Sequence, residues 1–593
     1  MIWSSRLGGP ARRPAGERRA QAGLSCPADD RRFVILRTPA ASSLVALETA
    51  LTEAAAPDGP FAPAALAELD RLEAFPAEAC RALDELGLAD HYVPARLGGK
   101  LVDHLGSSLL VRAVARRDLT VAVAHAKTFL GAVSVWLAGS ETQSTWLARE
   151  IGAGRLVAWG LTERDHGSDL FACELAATPH DETWRLDGEK WLINNATRAE
   201  LLCILARTSP RGGPLGFTLF LVDKRRLESS AYGCLPKVPT HGIRGADISG
   251  IRLMGAGVPG DALVGDVGRG LYVVLKSLQL TRTVCTVLSL GAADHGLRIA
   301  VEFARGRARS TPRILGEAAA LRLLAEATAI VALRGVQAFP EEMSVIAAVA
   351  KGFVPTAVDR LLGRLGSLLG AAAFVADPSP HGVFEKLERD HRIVALFDGS
   401  TAVCQASLIA QFPTLAEAYG TAASDRLASA SCLASPLPEL DPAMLRLSSP
   451  GCTLLASLPE LIAELHGLTA GGELPERALA LAVTLESATA ELHRELSAIV
   501  PAVRQIPTAH FALARRYELC FAAAACLNLW VHNTAEGGRR SDPTWLEAAM
   551  VIALRLLGVT ITADATGSLD ELARRAAGPG GTAAVSLLGY GCA

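Results

Sequence analysis

The stretch Leu161-Thr162-Glu163-Arg164-Asp165-His166-Gly167-Ser168-Asp169 follows a short run of β-forming residues and is unusually polar for its surroundings. Gly167 permits a ligand to approach the backbone closely, because glycine has no Cβ. Thr162 and Ser168 supply hydroxyl and backbone N–H groups that suit a polar heterocycle or a thioester. Taken alone, the stretch is equally typical of a polar turn between two strands.

A second segment changes the balance between these readings. Residues 188–195 read Gly-Glu-Lys-Trp-Leu-Ile-Asn-Asn, which places an indole and two amides on the strand after the polar stretch. A flat aromatic cofactor needs such neighbours, and Trp191 and Asn194 are the candidates. The alternative for Trp191 is an ordinary core aromatic. The two segments together favour a cofactor loop.

The hydrophobic period changes along the chain. Apolar residues recur at three- and four-residue spacing before and after a central region of short β-type runs, which Gly, Pro, Asp and Asn interrupt. The pattern predicts an α+β fold that is mainly α. The predicted units are a disordered tail (1–40), an N-terminal helical domain (41–155), a central β domain (156–271), a helical bundle (272–425), a linker (426–443) and an additional helical domain (444–593).

Composition excludes several classes of function. With 593 residues, the chain is too long for one core, and its net charge of −3 gives no electrostatic argument for binding nucleic acid. The 12 cysteines form no CxxC pair and no Cys/His cluster at metal spacing, so no metal site is predicted. No uncharged apolar run reaches about 18 residues, so no membrane span is predicted. The Arg-rich start lacks the apolar core of a secretory signal, and a cytoplasmic location is expected, with an organellar transit peptide as the alternative.

Two downstream segments complete the argument: Asp390-His391-Arg392-Ile393 and Phe397-Asp398-Gly399-Ser400-Thr401. In order, spacing and character, these segments and the polar stretch resemble the acyl-CoA dehydrogenase family over residues 45–412. The resemblance implies an N-terminal helical domain, a central β-barrel and a C-terminal four-helix bundle. The helices beyond this region resemble the second bundle of acyl-CoA oxidases and very-long-chain dehydrogenases, which implies a domain that packs on the core and replaces dimer contacts.

The same resemblance implies FAD as cofactor and assigns roles to individual residues. Asp398 stands where the family usually has a catalytic Glu, and the family's alternative base position is Thr281, which cannot serve. The implied flavin-binding residues are Trp159, Leu161, Thr162, Gly167, Ser168, Trp191, Asn194, Arg307 and Ser400. The implied substrate-binding residues are Ser168, Thr281, Arg282, Phe397 and Gly399.

The implied reaction is desaturation of an acyl thioester, in which Asp398 takes the α proton and the flavin takes the β hydride. The thioester carrier is CoA or an acyl carrier protein, an electron-transfer flavoprotein is a possible partner, and the chain is expected to be a monomer or homodimer. Aspartate is shorter than glutamate by about 1.5 Å. The alternatives are a flavin-dependent oxidase or monooxygenase of the same fold, or a non-catalytic scaffold that binds an acylated carrier protein, with Asp398 only capping a helix.

The chain departs from the family pattern mainly at the adenine side of the cofactor. Near the flavin ring, Leu192 replaces the usual Trp and Asn194 the usual Thr. At the adenine side, Arg307 persists but the Phe-Gly that normally follows is Ser310-Thr311. A glycine-rich segment is also reduced to Ser367-Leu-Leu-Gly-Ala-Ala-Ala373. The ring half of the predicted site is therefore better preserved than the adenine half.

Overall fold

In a computed structural model of the chain, eight stretches are described: 41–305, 313–376, 383–421, 425–501, 505–533, 542–561, 567–578 and 581–588. The predicted tail and Arg307 lie outside them. The element order is helices, then a sheet, then two groups of helices, as the periodicity predicts.

Six α-helices precede the sheet in the described part of the chain. Side-chain caps explain where several of them begin, since free N–H groups of the first turn need acceptors. Asp103 accepts from the Gly106 N–H at the start of α4, Asp118 accepts from the Val121 N–H at the start of α5 (2.9 Å), and Ser140 and Gln143 form a capping box on α6. The helices are α1 (Ala41–Ala54), α2 (Pro63–Arg71), α3 (Ala77–Glu85), α4 (His104–Arg117), α5 (Leu119–Ala138) and α6 (Glu141–Gly152).

The central domain is a mixed, mostly antiparallel sheet. The strand order is β6-β7-β3-β2-β4-β5-β8, and β1 runs parallel to β4 beside this path. The pairing of β3 with β7 is irregular between Trp191 and Ile193, so the strand bulges at Leu192. The strands are β1 (Val157–Gly160), β2 (Ala176–His180), β3 (Thr183–Asn194), β4 (Leu201–Arg207), β5 (Phe217–Asp223), β6 (Tyr232–Leu235), β7 (Ile248–Pro259) and β8 (Leu263–Val264).

A bundle of long helices follows the sheet. Its helix α8 is rich in alanine and buried almost throughout, because helices pack against it from several sides. The helices are α7 (Gly270–Arg305), α8 (Arg313–Ala338), α9 (Met343–Leu369), α10 (Val383–His391), α11 (Thr401–Ile409) and α12 (Phe412–Ala418).

The additional C-terminal helices pack directly on this bundle. Helices α17, α18 and α19 contact α8, and α17 also contacts α9 and α11, so one hydrophobic core runs through both groups. The helices are α13 (Asp425–Ser431), α14 (Thr453–Ala456), α15 (Leu458–Ala470), α16 (Glu476–Ser497), α17 (Thr508–Val531), α18 (Thr544–Leu556) and α19 (Gly567–Ala577).

The expected linker, 426–443, begins inside helix α13 and is fixed to the bundle. The buried guanidinium of Arg334 on α8 donates to the main-chain carbonyls of Ser429, Ala430, Cys432 and Ser435 at 2.6 to 2.9 Å. One guanidinium thus donates to four main-chain carbonyls of this segment. The segment is a strap held against α8.

Four buried charged side chains join three helices of the core, and we call them the charge quartet: Arg112, Asp294, Arg322 and Glu326. Arg112 reaches Asp294 at 2.9 Å and Glu326 at 2.7 Å, while Arg322 reaches them at 2.6 and 3.1 Å. Glu326 also accepts from the Leu587 N–H (2.8 Å), and Arg322 donates to the Val585 carbonyl (3.0 Å). Two cations face two anions, so the quartet is balanced and fixes the C-terminal segment to the core.

Two helices of the described chain are long and apolar enough to cross a membrane by length and composition. They are Leu119–Ala138 and Gly270–Arg305, and 83% and 89% of their apolar windows are buried inside the protein. Core helices pass the same test, so this is weak evidence for a span.

Candidate active site

The polar stretch after β1 is held in place by a buried ion pair. The Lys190 ammonium, fully buried on β3, lies 2.8 Å from Glu163 and donates to the Leu161 carbonyl at 3.0 Å. Glu163 also accepts from the backbone N–H groups of Glu174 (2.7 Å) and Leu175 (3.0 Å). Burial raises the pKa of Glu163, but Lys190 and the two N–H donors outweigh it, so the net shift is downward. The loop is therefore anchored from beneath.

Thr162 and Trp191, both predicted to bind flavin, are joined to each other. The Trp191 N–H donates to the Thr162 carbonyl at 3.0 Å, and the Thr162 hydroxyl donates to the Trp191 carbonyl at 2.8 Å. The Arg164 guanidinium lies 4.6 Å from the Trp191 ring centroid. Gly167 and Ser168 lie exposed on the loop, and a Cβ on Gly167 would meet nothing within 4 Å. The protein itself therefore does not require glycine there.

Leu192, at the β3 bulge, and Asn194, at the end of β3, differ in exposure. Leu192 has φ +57° and remains 44% exposed. Asn194 is partly buried, and its side-chain NH2 donates to the Val123 carbonyl of α5 at 3.3 Å. Its Oδ1 is buried without a partner among the described residues. An unsatisfied acceptor at this position points to a donor that the protein does not supply.

The loop before α11 holds Asp398 in an unusual backbone conformation. Asp398 has φ +56° and Gly399 has φ +93°. The Arg282 Nε donates to the Asp398 carbonyl at 3.1 Å, and the Lys351 Nζ donates to the Gly399 carbonyl at 3.0 Å. A Cβ on Gly399 would lie 2.7 Å from Arg282 Nη2, so glycine is required. The helix cap is Ser400, whose hydroxyl accepts from the Val403 N–H (3.3 Å), and not Asp398.

The Asp398 carboxylate faces a lysine and a cysteine that the sequence reasoning missed. Its Oδ1 lies 3.6 Å from the Lys127 Nζ, and the side chains are 9% and 14% exposed. Its Oδ2 accepts from the Cys285 thiol at 3.5 Å. Burial and the nearby carboxylate raise the pKa of Cys285, so the thiol stays protonated and acts as the donor. The Lys127 ammonium also lies 3.9 Å from the centroid of the Phe397 ring.

We call Asp398 with Lys127, Arg282 and Lys351 the base cluster. Lys351 is fully buried on α9, and burial lowers its pKa. Thr281, the alternative base position, is fully buried beside this cluster, and its hydroxyl has no partner among the described residues. It precedes Cys285 by four residues on α7, so the two side chains lie on one face of the helix.

Helix α5 connects the two halves of the site. Asn194 on the sheet contacts the Val123 carbonyl, and Asp398 pairs with Lys127, one helical turn further along the same face. Four residues of α-helix span about 6 Å. The ring-side segment and the base loop, more than 200 positions apart in sequence, thus meet on a single helix face.

The Asp390-His391 pair positions the base loop but does not line it. Asp390 is fully buried and accepts from Lys386 (2.7 Å), Thr120 (3.0 Å) and the Ile243 N–H (2.6 Å), which joins α10 to α5 and to the β domain. The His391 ring lies within hydrogen-bond distance of Asp359 (2.7 Å) and Ser289 (2.9 Å). This segment, which resembles the family, therefore has a structural role in this protein.

The described residues fit the ring of a flavin. Four predicted or neighbouring side chains have buried polar atoms without protein partners among these residues: Trp159 Nε1, Asn194 Oδ1, Thr281 Oγ1 and Thr401 Oγ1. They offer one N–H donor, one amide acceptor and two hydroxyls, a set that suits a heterocycle with both donors and acceptors. On the adenine side, Arg307 lies outside the described residues, and Phe374, next to the altered glycine segment, is 86% exposed. No group of three potential metal ligands occurs within the described ranges.

Comparisons with known proteins place these observations in a family. Three domain models match this chain: "Acyl-CoA dehydrogenase, N-terminal domain" over residues 61–154, the middle domain over 158–255 and the C-terminal domain over 268–412. Together they cover more than half of the chain. A probable acyl-CoA dehydrogenase of Mycobacterium leprae is 26% identical over 351 residues, covering 57% of this chain and 87% of that protein.

Solved structures show the same fold. An acyl-CoA dehydrogenase from Bacillus anthracis, solved with FAD, matches with TM-score 0.65 and 18% identity over 91% of this chain and 96% of that one. This match includes the additional C-terminal helices. The prolyl acyl carrier protein oxidase AnaB matches with TM-score 0.57 and 19% identity over 63% of this chain and 98% of that one.

Proposed function

Because this chain belongs to the acyl-CoA dehydrogenase family, whose members bind FAD, we propose that it oxidises an acyl thioester between Cα and Cβ with Asp398 as the base. The observation that supports this most directly is the Asp398 carboxylate itself. It is almost buried, and it shares the α5 face with the ring-side segment. A carboxylate in that position is the group required to take an α proton.

The chemistry divides between cofactor and protein. FAD, when bound, would supply the acceptor for the hydride that leaves Cβ. Asp398 accepts the Cα proton on a carboxylate oxygen. The thioester oxygen gains negative charge as the proton leaves, and we propose Arg282, whose Nε donates to the Asp398 carbonyl at 3.1 Å, as the cation that stabilises this charge.

The loop conformation offers a physical reason why aspartate can replace glutamate. A shorter side chain needs a backbone that lies closer to the substrate. The left-handed φ at Asp398 directs its side chain away from the path an α-helical residue would take, and two buried cations hold the carbonyls on either side of Gly399. The loop is therefore rigid, as a base must be to act at short range.

Both CoA and acyl carrier protein present the same phosphopantetheine thioester, so we propose the thioester as the substrate group and leave the carrier open. The match to an acyl carrier protein oxidase supports including the carrier protein. The same match, together with Asp398 of this chain as the proposed base, favours a second candidate function: a flavin-dependent oxidase that passes electrons to oxygen. An electron-transfer flavoprotein is the partner proposed for the dehydrogenase function.

The experiment is anaerobic reduction of the FAD-loaded protein by acyl thioesters, followed by loss of flavin absorbance. Asp398→Asn should slow bleaching by about 1000-fold while FAD content stays unchanged, since general bases contribute factors of about 100 to 10,000. Asp58→Asn, at an exposed aspartate, is the matched control and should bleach at the wild-type rate. Equal rates for Asp398→Asn and wild type would exclude Asp398 as the base.

The same preparation separates the candidate functions. Hydrogen peroxide formed on admitting oxygen during turnover would favour the oxidase. A protein that stays colourless after incubation with FAD would favour the non-catalytic scaffold.

A further inference from the structure

The base cluster contains more positive charge than its own carboxylate can balance. Lys127 lies beside the Asp398 carboxylate, and Arg282 and Lys351 contact the main-chain carbonyls of Asp398 and Gly399; among the described residues, Asp398 is the one carboxylate within ion-pair distance of any of these three cations. Arg282 and Lys351 each donate to a backbone carbonyl, so both have a structural role. Lys127 differs, because its ammonium makes no hydrogen bond to a described protein acceptor. Its ion-pair partner is Asp398 at 3.6 Å, and the Phe397 ring lies beneath it.

This arrangement is poorly suited to a substrate with a plain hydrocarbon chain. When Asp398 takes a proton, it becomes neutral and Lys127 loses its anionic partner. An ammonium that is mostly buried and unpaired is costly. Helix α5 carries no other Lys, Arg, Asp or Glu, so the lysine is an exception on its own helix. A negative charge brought by the substrate would keep Lys127 paired before and after proton transfer.

The distances limit how far from Cα that charge can lie. The proposed function places Cα about 3 Å from the Asp398 carboxylate. Lys127 Nζ, 3.6 Å from the same carboxylate, is then within roughly 7 Å of Cα. A carboxylate three bonds beyond Cα lies about 4 Å from it, which leaves one hydrogen bond or ion-pair distance to the ammonium.

We infer that Lys127 is a specificity-determining residue that binds an anionic group about three bonds beyond Cα, so that the preferred substrates are thioesters of short dicarboxylic acids. The inference rests on the proposed function for the position of Cα. Its own content is the role of Lys127 in recognising charge. The Phe397 ring beneath the ammonium holds Lys127 in place while leaving its N–H donors free for a carboxylate.

The test is equilibrium binding to the full-length, FAD-loaded protein, measured by calorimetry. The probes are glutaryl-pantetheine and pentanoyl-pantetheine, which share their chain length and the group common to both carriers but differ in a terminal carboxylate against a methyl group. We expect wild type to bind the glutaryl thioester at least about tenfold more tightly, with a preference that weakens as salt is raised. Equal binding, a preference for the pentanoyl thioester or no measurable binding of either would overturn the inference.

Variants at position 127 test whether Lys127 causes the preference for the glutaryl thioester. Lys127→Met should abolish the difference, Lys127→Arg should retain most of it, and Lys100→Met, at a half-exposed lysine, should leave it unchanged. If Lys127→Met does not fold, Lys127→Arg and the salt dependence of wild type still decide the question. A preference that survives in Lys127→Met would show that another group reads the charge.

These experiments distinguish failure of the proposed role of Lys127 from failure of the proposed reaction. Bleaching by both thioesters without a difference in affinity would refute the role of Lys127 and leave the dehydrogenase proposal intact. Preferential binding of the glutaryl thioester without bleaching would refute the proposed reaction instead.

Discussion

The charge quartet and the base cluster are both buried, and both join helices that are distant in sequence, but they differ in charge balance. The quartet pairs two guanidiniums with two carboxylates at 2.6 to 3.1 Å. The base cluster contains three cations and one carboxylate, of which Lys127 alone pairs with that carboxylate, at the longer distance of 3.6 Å, while Arg282 and Lys351 hold main-chain carbonyls of the loop. The quartet is complete within the protein. The base cluster is incomplete until something anionic joins it.

This difference in charge balance distinguishes a cluster that stabilises the fold from one that can bind a ligand. A buried ion network that is complete in itself has no need of a ligand, and removing one member leaves a partner charge unpaired. A cluster with surplus positive charge can be balanced by an anionic group of a substrate.

Breaking the quartet should cost stability and leave the site chemistry alone. Asp294→Asn removes the carboxylate that faces Arg112 and Arg322, and we expect a loss of about 3 to 5 kcal/mol in the free energy of unfolding. Burial raises the pKa of Asp294, but the two guanidiniums lower it further, so the acid is ionised in the folded protein. Chemical denaturation measures the loss, with Asp58→Asn as the control. A change below about 1 kcal/mol would contradict the structural role of the quartet.

Another buried carboxyl, Glu518 on α17, sharpens the comparison because its hydrogen-bond partner is the uncharged amide of Gln405, at 3.3 Å. Burial raises the pKa of Glu518 to about 8 from 4.5. The folded state therefore holds a proton that the unfolded chain loses, and stability falls as pH rises from about 4.5 to about 8, then levels off.

Glu518→Gln should remove this slope, since the amide cannot ionise. We expect the variant to match wild type near pH 4.5 and to exceed it by on the order of 4 kcal/mol at pH 8. Melting temperature against pH measures the effect, and Glu53→Gln, on the exposed face of α1, is the control. Parallel curves for Glu518→Gln and wild type would show that Glu518 is ionised in the fold.

The base loop should tolerate no side chain at Gly399. Alanine there combines φ +93° with a Cβ 2.7 Å from Arg282 Nη2, and we expect a cost of about 1 to 2 kcal/mol and slower flavin bleaching. Gly363→Ala is the control, since a Cβ at this exposed position in α9 meets nothing within 4 Å and alanine favours helix. Wild-type bleaching by Gly399→Ala would mean that the loop need not be rigid.

The smallest effect is expected for stability at Lys127. Replacing this surplus cation by methionine leaves Asp398 close to the Cys285 thiol, so we expect a change within about 1 kcal/mol, of either sign. The same substitution is expected to abolish the charge preference in binding. A loss in the free energy of unfolding as large as that of Asp294→Asn would show that the base cluster, like the charge quartet, stabilises the fold.

The sequence alone was sufficient to predict the fold and the family. Hydrophobic period predicts helices around a central β domain, because burial of one face imposes a period of two on strands and 3.6 on helices. The polar stretch and the Phe-Asp-Gly segment indicate the family, and the family assignment and its fold are confirmed. The residue roles assigned by resemblance, including that of Asp398, stay predictions.

Tertiary structure alone decided what surrounds Asp398. Lys127 is a single lysine in a mainly apolar helix, but its local sequence does not show which distant group it faces, and Cys285 looks like a small core residue. Both reach the carboxylate only because α5, α7 and the base loop pack together across more than 100 residues of sequence. Hydrophobic period is a local property of the chain, whereas charge balance depends on which distant side chains packing brings within a few ångströms.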